Sequence, residues 1–242
     1  MLNLANLQEF TKRSQTSEVN VIREYCQHVF LATLYLQPGA ERLLFKGGTA
    51  LRVAFRSPRF SEDLDFTGSR ITQVEVESLF TEALAAVEKT GLQVELEEAK
   101  NTSGGYLGEA IFHAYSKRII IRIEVSLRSG KPVVGVRKLI DNEYIPEYSL
   151  VHLAKETIVQ GKLGALLNRH KPRDFYDYFF LLSGDYPLVR EAKYVAAVQK
   201  LLRESKLDFR RELRQFLPAS HAMHLRDFKK VLEQKLENVA RF

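Results

Sequence analysis

At 242 residues the chain can form one large domain or two small ones, and its 45% apolar and 27% charged residues are those of an ordinary globular protein. No apolar run approaches the ~20 residues of a membrane span, and the opening MLNLANLQEFTKRSQ lacks the apolar core of an export signal, so neither a membrane nor an exported protein is expected. The single cysteine, Cys26, rules out an internal disulfide, fits a reducing cytoplasm, and reads as helix core from its apolar neighbours.

After a polar lead-in, Ser17-Glu18 opens a helix whose stripe of Val19, Ile22, Tyr25, Val29, Ala32, Leu34 and Leu36 runs to about Gln37, where Pro38-Gly39 ends it. Leu43-Leu44-Phe45 reads as the end of a buried strand. Lys46-Gly47-Gly48-Thr49 follows, and Ala50, Leu51, Val53, Ala54 and Phe55 have the spacing of a short helix. Glycines bring backbone N–H groups close to a ligand, and a helix starting just after them adds its positive end, which suits phosphate. Thr49 can cap that helix or bond a phosphate oxygen, and Lys46 can neutralise charge nearby.

The basic turn Arg56-Ser57-Pro58-Arg59 leads into Phe60-Ser61-Glu62-Asp63-Leu64-Asp65-Phe66, whose alternation predicts a strand with Phe60, Glu62, Leu64 and Phe66 on one face. Ser61, Asp63 and Asp65 then share the other. Two carboxylates this close repel each other, and a divalent cation is the usual remedy. Mg²⁺ favours few carboxylates plus phosphate oxygens, with Mn²⁺ as the alternative ion. Strand, Gly-Gly-Thr turn, helix and Asp-x-Asp strand, in this order, describe a nucleoside-triphosphate site with metal. Ser61 is placed to orient an aspartate or a phosphate.

Thr72 opens an amphipathic helix to about Thr90, stopped by Gly91. Strands are predicted over Leu92–Glu98, Tyr106–Tyr115 and Arg118–Arg128, with a turn at Asn101–Gly105. Their hairpin-like spacing implies a mixed or antiparallel sheet, not a doubly wound one. In the third of these strands Ile119, Ile121, Ile123, Val125 and Leu127 face one side, and Ile120, Arg122, Glu124, Ser126 and Arg128 the other. Residues 131–152 read as irregular with one short strand, and a domain boundary falls near Ser149. The fold class is thus α/β, more narrowly α+β: a domain over 1–150 with its N-terminal helix, then a helical domain over 151–242.

Leu153–Arg169 is predicted helical, with Lys155 and Lys162 on one face. Pro172 starts the next helix, which carries Asp174 in its first turn and Asp177 one turn on. Helices are expected at about 189–204, 207–216 and 221–239. His221 and His224, at i and i+3, could pair on a metal, but without a third ligand they read as cap or surface residues. Residues 189–242 hold 13 Lys/Arg against 7 Asp/Glu, a net of +6, whereas 1–188 hold 23 of each and are neutral. Such a segment is either a solvated helical face or a surface for a polyanion such as RNA.

The runs Lys46-Gly47-Gly48-Thr49-Ala50-Leu51 and Arg59-Phe60-Ser61-Glu62-Asp63-Leu64-Asp65-Phe66 resemble the AbiEii/AbiGii-type toxins, minimal nucleotidyltransferases of the DNA polymerase β superfamily. A second block, Lys162-Leu163 through Arg169, Lys171, Arg173-Asp174 and Tyr176-Asp177, resembles that family's other signature. The resemblance implies a nucleotidyltransferase fold and a third carboxylate on a later strand, serving as base or metal ligand. Glu124 suits it by position, unless it merely pairs with Arg122 or Arg128. It further implies catalytic roles for a lysine and an aspartate of the second block, which map onto Lys162 and Asp174, with Lys155 and Asp177 in reserve. Arg169 and Asp177 read as a structural junction. The implied reaction moves a nucleotide from an NTP onto the 3′ end of tRNA, blocking translation until a cognate antitoxin intervenes. Two alternatives stand beside it: transfer onto a protein hydroxyl, or a non-catalytic nucleotide-binding module.

Overall fold

The computed structural model describes residues 2–102, 104–127 and 133–240, apart from the side chains at 98, 99, 101, 223, 224 and 240. It divides into two compact units, Met1–Ala154 and Lys155–Phe242.

In the first unit the described strands form one mixed seven-stranded sheet: β1 (Leu43–Lys46), β2 (Leu64–Gly68), β3 (Gln93–Thr102), β4 (Gly105–Ala114), β5 (Lys117–Ser126), β6 (Gly135–Ile140) and β7 (Tyr148–Leu153), in the order β3-β4-β5-β2-β1-β7-β6. The β2–β5 and β1–β7 pairs are parallel and the rest antiparallel. In β5 the alternation is clean: Ile119, Ile121, Ile123 and Val125 are buried, while Arg118, Ile120, Arg122 and Glu124 are exposed. The buried row joins α2 (Glu18–Tyr35) and α4 (Gln73–Glu88) in the main core, where Phe45, Phe66, Phe80 and Tyr106 follow one another at ring-centroid spacings of 5.4, 6.1 and 5.4 Å. Thr72 caps α4 through a reciprocal bond with Glu75. The other face of β5 is thereby left to Arg118, Arg122 and Glu124, with Ile120 among them.

Several expectations are corrected. The lead-in contains a helix, α1 (Leu4–Arg13), capped by Asn3 and buried through Leu7 and Phe10. The strand expected from Phe60 begins only at Leu64, and half-exposed Glu62 does not join the buried face but lies 3.5 Å from Arg23. Strand β3 runs on to Thr102, so Asn101 and Thr102 are strand rather than turn. The 131–152 stretch holds two paired strands, and the expected boundary near Ser149 falls inside β7; the break comes after Ala154 because β7 is bonded into the sheet.

The second unit comprises α5 (Lys155–Arg169), α6 (Pro172–Ser183), α7 (Ala192–Glu204), α8 (Phe209–Leu213), α9 (Ala222–Arg226) and α10 (Phe228–Ala240). The single helix expected over 221–239 is two, because Asp227 leaves helical geometry. Phe175, Phe209, Phe228 and Tyr176 form its aromatic centre, with Phe209 and Phe228 at 5.1 Å.

Candidate active site

The glycine turn connects β1 to α3 (Gly47–Phe55). Gly47 opens the helix at φ +86°, where a side chain is strained, and a Cβ there would lie 2.1 Å from Asp65 Oδ2. A Cβ on Gly48 would lie 2.6 Å from Arg59 Nη2 and 2.7 Å from Ser61 Oγ. The turn is therefore pressed against a carboxylate on one side and a guanidinium and hydroxyl on the other. The helix ends where Arg56 turns left-handed, its N–H bonding Arg52 O while Ser57 N bonds Leu51 O.

Register places the charged groups. Lys46 is the direct partner of Asp65, and Asp65 the direct partner of Glu124. One residue from each of three adjacent strands thus stands in a single row, on the sheet face away from the α2/α4 core. Burial pulls the Lys46 ammonium below its usual range, while the charges of Asp65 and Glu124 hold it back up. Asp63 lies two residues before Asp65, half-buried, and its carboxylate bonds no described residue. Glu124 is exposed and has no ion-pair partner among the described residues. Arg122 faces Glu109 instead, at 3.7 Å, and Arg128 lies outside the described residues.

Among the described residues no group of three or more His, Cys, Asp or Glu is gathered closely enough to hold a metal ion. The expected trio Asp63, Asp65 and Glu124 is therefore not a preformed cage. Its donors are hard oxygens of the kind Mg²⁺ takes, and Mg²⁺ is ordinarily held by one or two carboxylates plus substrate phosphates, so the donor set fits an ion that arrives with a nucleotide. His221 belongs to no such group, and the side chain of His224 lies outside the described residues.

Thr49 has a different job from either one expected. It is fully buried, and its hydroxyl donates to the Asp63 carbonyl, so it neither caps α3 nor faces a ligand. Ser61 sits beside Gly48, its carbonyl held by Gln27 at 3.0 Å. Four further residues serve this site through contacts that the sequence pattern does not reveal: Glu24, Gln27, Arg52 and Arg59. Arg59 is 3% exposed although it belongs to the basic turn, where a solvated cation is the default.

In the second unit Lys162 donates to Asp177 Oδ2 at 2.7 Å, with side chains only 11% and 2% exposed. Asp174 is equally buried and accepts from Arg169 at 2.5 and 3.2 Å and from the Lys171 N–H at 3.2 Å. The lysine is thus fixed by Asp177, not Asp174, and Asp174 stitches the α5–α6 junction. Lys155, the reserve lysine, bonds the Asp185 carbonyl at 2.9 Å and lies over the Tyr186 ring.

No helix of the described residues is long and apolar enough to cross a membrane. Three solved structures share the fold. JHP933 from Helicobacter pylori is 20% identical, with TM-score 0.57 over 93% of this chain and 97% of that one. A structure described as a putative nucleotidyltransferase from H. pylori is 21% identical, with TM-score 0.51 over 92% and 98%. MenT4, a nucleotidyltransferase toxin from Mycobacterium tuberculosis, is 18% identical, with TM-score 0.64 over 100% and 91%. No curated protein matches the chain. The profile of the AbiEii nucleotidyl transferase toxins of type IV toxin–antitoxin systems matches residues 29–240, and the chain belongs to that family.

Proposed function

We propose that this toxin transfers a nucleoside monophosphate from an NTP to the 3′ end of an RNA, tRNA foremost, in a Mg²⁺-dependent reaction that blocks translation in the cytoplasm until a cognate antitoxin counters it. The observation that carries the reading is the register row Lys46–Asp65–Glu124 beside the Gly47-Gly48 turn. The turn's N–H groups and the start of α3 receive the triphosphate, and Lys46 balances its charge. Asp63 and Asp65 would hold the metal, with Glu124 as the third carboxylate, and when bound the ion would neutralise charge on the reacting phosphoryl oxygens. The acceptor hydroxyl oxygen bonds to the α-phosphorus as the bond to the α–β bridging oxygen breaks. Pyrophosphate leaves, and the hydroxyl proton passes to Glu124. Lys162 and Asp174 are assigned to the same reaction on the strength of the family's second signature.

RNA is favoured as acceptor by the charge of the C-terminal helices. A cleft of about 650 Å³ there is bordered by Lys206, Arg210, Arg226, Lys229 and Lys230 against Asp208, Asp227 and Glu233, and the side chains of Lys206, Arg210 and Lys230 bond no described residue. Cations without internal partners beside a cleft suit a phosphodiester chain. The test is incubation with total tRNA, Mg²⁺ and each α-labelled NTP in turn, beside Asp63→Ala and Asp65→Ala. Label on tRNA that both substitutions abolish is the expected result. Label on lysate proteins instead would move the acceptor to a protein hydroxyl. No label on either would overturn the enzymatic reading in favour of a nucleotide-binding module.

A further inference from the structure

The segment that joins α3 to β2 has no helix or strand over residues 56–63, yet its carbonyls are almost all engaged. Arg52 Nη1 donates to the carbonyls of Ser57 and Pro58, each at 3.2 Å. Arg59 Nη1 donates to Phe60 O at 3.1 Å. Gln27 Nε2 donates to Ser61 O at 3.0 Å and to Glu62 O at 3.1 Å. Thr49 donates to Asp63 O. Six of the seven carbonyls from Ser57 to Asp63 are therefore held by side chains, where an ordinary loop would leave them to water or to its own turns.

The donors are themselves locked. Arg52 grips Glu24 with Nε and Nη2, at 2.5 and 3.1 Å, in the two-pronged arrangement that carboxylates favour. Tyr144 donates to the same carboxylate at 2.7 Å, and the Arg52 guanidinium lies 3.9 Å over the Phe60 ring. Glu24 and Gln27 stand one turn apart on α2, so one buried helix face governs both halves of the segment.

We propose that Gln27 and Arg52, with Glu24 orienting Arg52, are positioning residues of the nucleotide site, fixing residues 57–63 so that Ser61 and Asp63 meet substrate already in place. This rests on the nucleotidyl-transfer reading. A segment without ladder bonds gains its rigidity only from such supports, and a carboxylate held for catalysis tolerates displacements well below 1 Å.

The experiment compares Gln27→Met, which removes both donors without leaving a buried charge, with Thr33→Val on the same helix. Thr33 is buried like Gln27, but its hydroxyl bonds only its own helix, to Val29 O and Phe30 O. Arg52→Lys is the third variant, keeping the charge opposite Glu24 but losing the fork. For each, kcat and KM for the NTP are measured, with amide hydrogen exchange over residues 57–63 and over β1 and β2. Gln27→Met is expected to lower kcat roughly 10- to 100-fold with KM within about threefold. Its exchange should rise over 57–63 and stay unchanged in the strands. Arg52→Lys should fall between it and the unsubstituted protein, and Thr33→Val should match the latter. Unchanged kcat in Gln27→Met, or equal losses in Gln27→Met and Thr33→Val, would overturn the positioning role while leaving the reaction standing. Absence of transfer by the unsubstituted protein would overturn the underlying reading and this one with it.

Discussion

The chain has two sets of charged residues that look alike on paper and differ in the fold. Around the glycine turn, Asp63 and Glu124 have carboxylates that no described residue bonds, half-buried in one case and exposed in the other. In the second unit, Asp174 and Asp177 are buried, Lys162 nearly so, and each is tightly paired. A charge without an internal partner costs the protein little only while water or a ligand can reach it. A buried pair must be complete in itself, because its desolvation is not otherwise offset. On the nucleotidyl-transfer reading the first set is left to meet a ligand, while the second ties helices together whatever else it does.

The sharpest way to break this contrast is to remove each kind of group and ask which property fails. Asp63→Ala and Asp65→Ala should each cut nucleotide transfer by about 10³-fold or more, the few kcal/mol that a metal-holding carboxylate supplies, and Asp63→Ala should do so with little change in melting temperature. Asp177→Leu should do the opposite. It strands the Lys162 ammonium in a buried position and should cost about 3–5 kcal/mol, read as a melting-temperature drop on the order of 10 °C. The paired change Lys162→Met with Asp177→Leu should recover most of that stability. If the double variant melts normally and still transfers nucleotide, Lys162 is structural alone; if it melts normally and is inactive, the lysine serves both purposes.

A third test uses acid. Burial pulls the His28 imidazole down to about 4, and the folded Glu24 carboxyl sits below its ordinary value of 4.5: burial raises it, but the Arg52 bond and charge outweigh that. Unfolded histidine holds its proton up to about 6.5, so between there and 4 the unfolded state binds more protons, and stability falls as pH falls. The loss from His28 should be on the order of 3 kcal/mol across that window. Below 4.5 the Glu24 contribution is lost in addition, as its carboxylate is protonated and the grip on Arg52 is released. Denaturant titrations at pH 7, 5.5 and 4 should trace the decline, and His28→Gln should flatten its upper part.

What could be read in the sequence, and what could not, divides along the same physical line. The Gly-Gly turn and the Asp-x-Asp pair are legible because their meaning is local: positive φ, a helix start and strand alternation act over a few residues. Glu124 is legible only with the resemblance in hand, since nothing in its own strand says that β5 pairs β2 in parallel and sets it beside Asp65. The support of residues 57–63 is not legible at all. Gln27 and Glu24 act on partners 28 to 35 positions away, through hydrogen bonds that leave no periodicity. For Thr49, sequence position suggests a cap or a phosphate ligand, whereas its true acceptor, the Asp63 carbonyl, depends on the chain turning back on itself. Helix α1 leaves little periodic signal because only Leu7 and Phe10 of its ten residues are buried.

The smallest expected effect belongs to Glu124→Gln, and it is the most discriminating for that reason. The side chain is exposed and without an ion pair, so stability should change by no more than about 0.5 kcal/mol, with a slight gain if repulsion from Asp65 is relieved. Transfer should fall about 10²-fold, the lower end of what a positioned base contributes, because water can reach the same place and accept the proton less well. That loss should shrink as pH rises and hydroxide replaces the missing base, whereas the loss in Asp65→Ala should not. A loss of equal size at every pH would mean that Glu124 holds the metal rather than the proton. An unchanged rate would return it to the sheet surface and leave Asp63 and Asp65 as the whole of the acidic site.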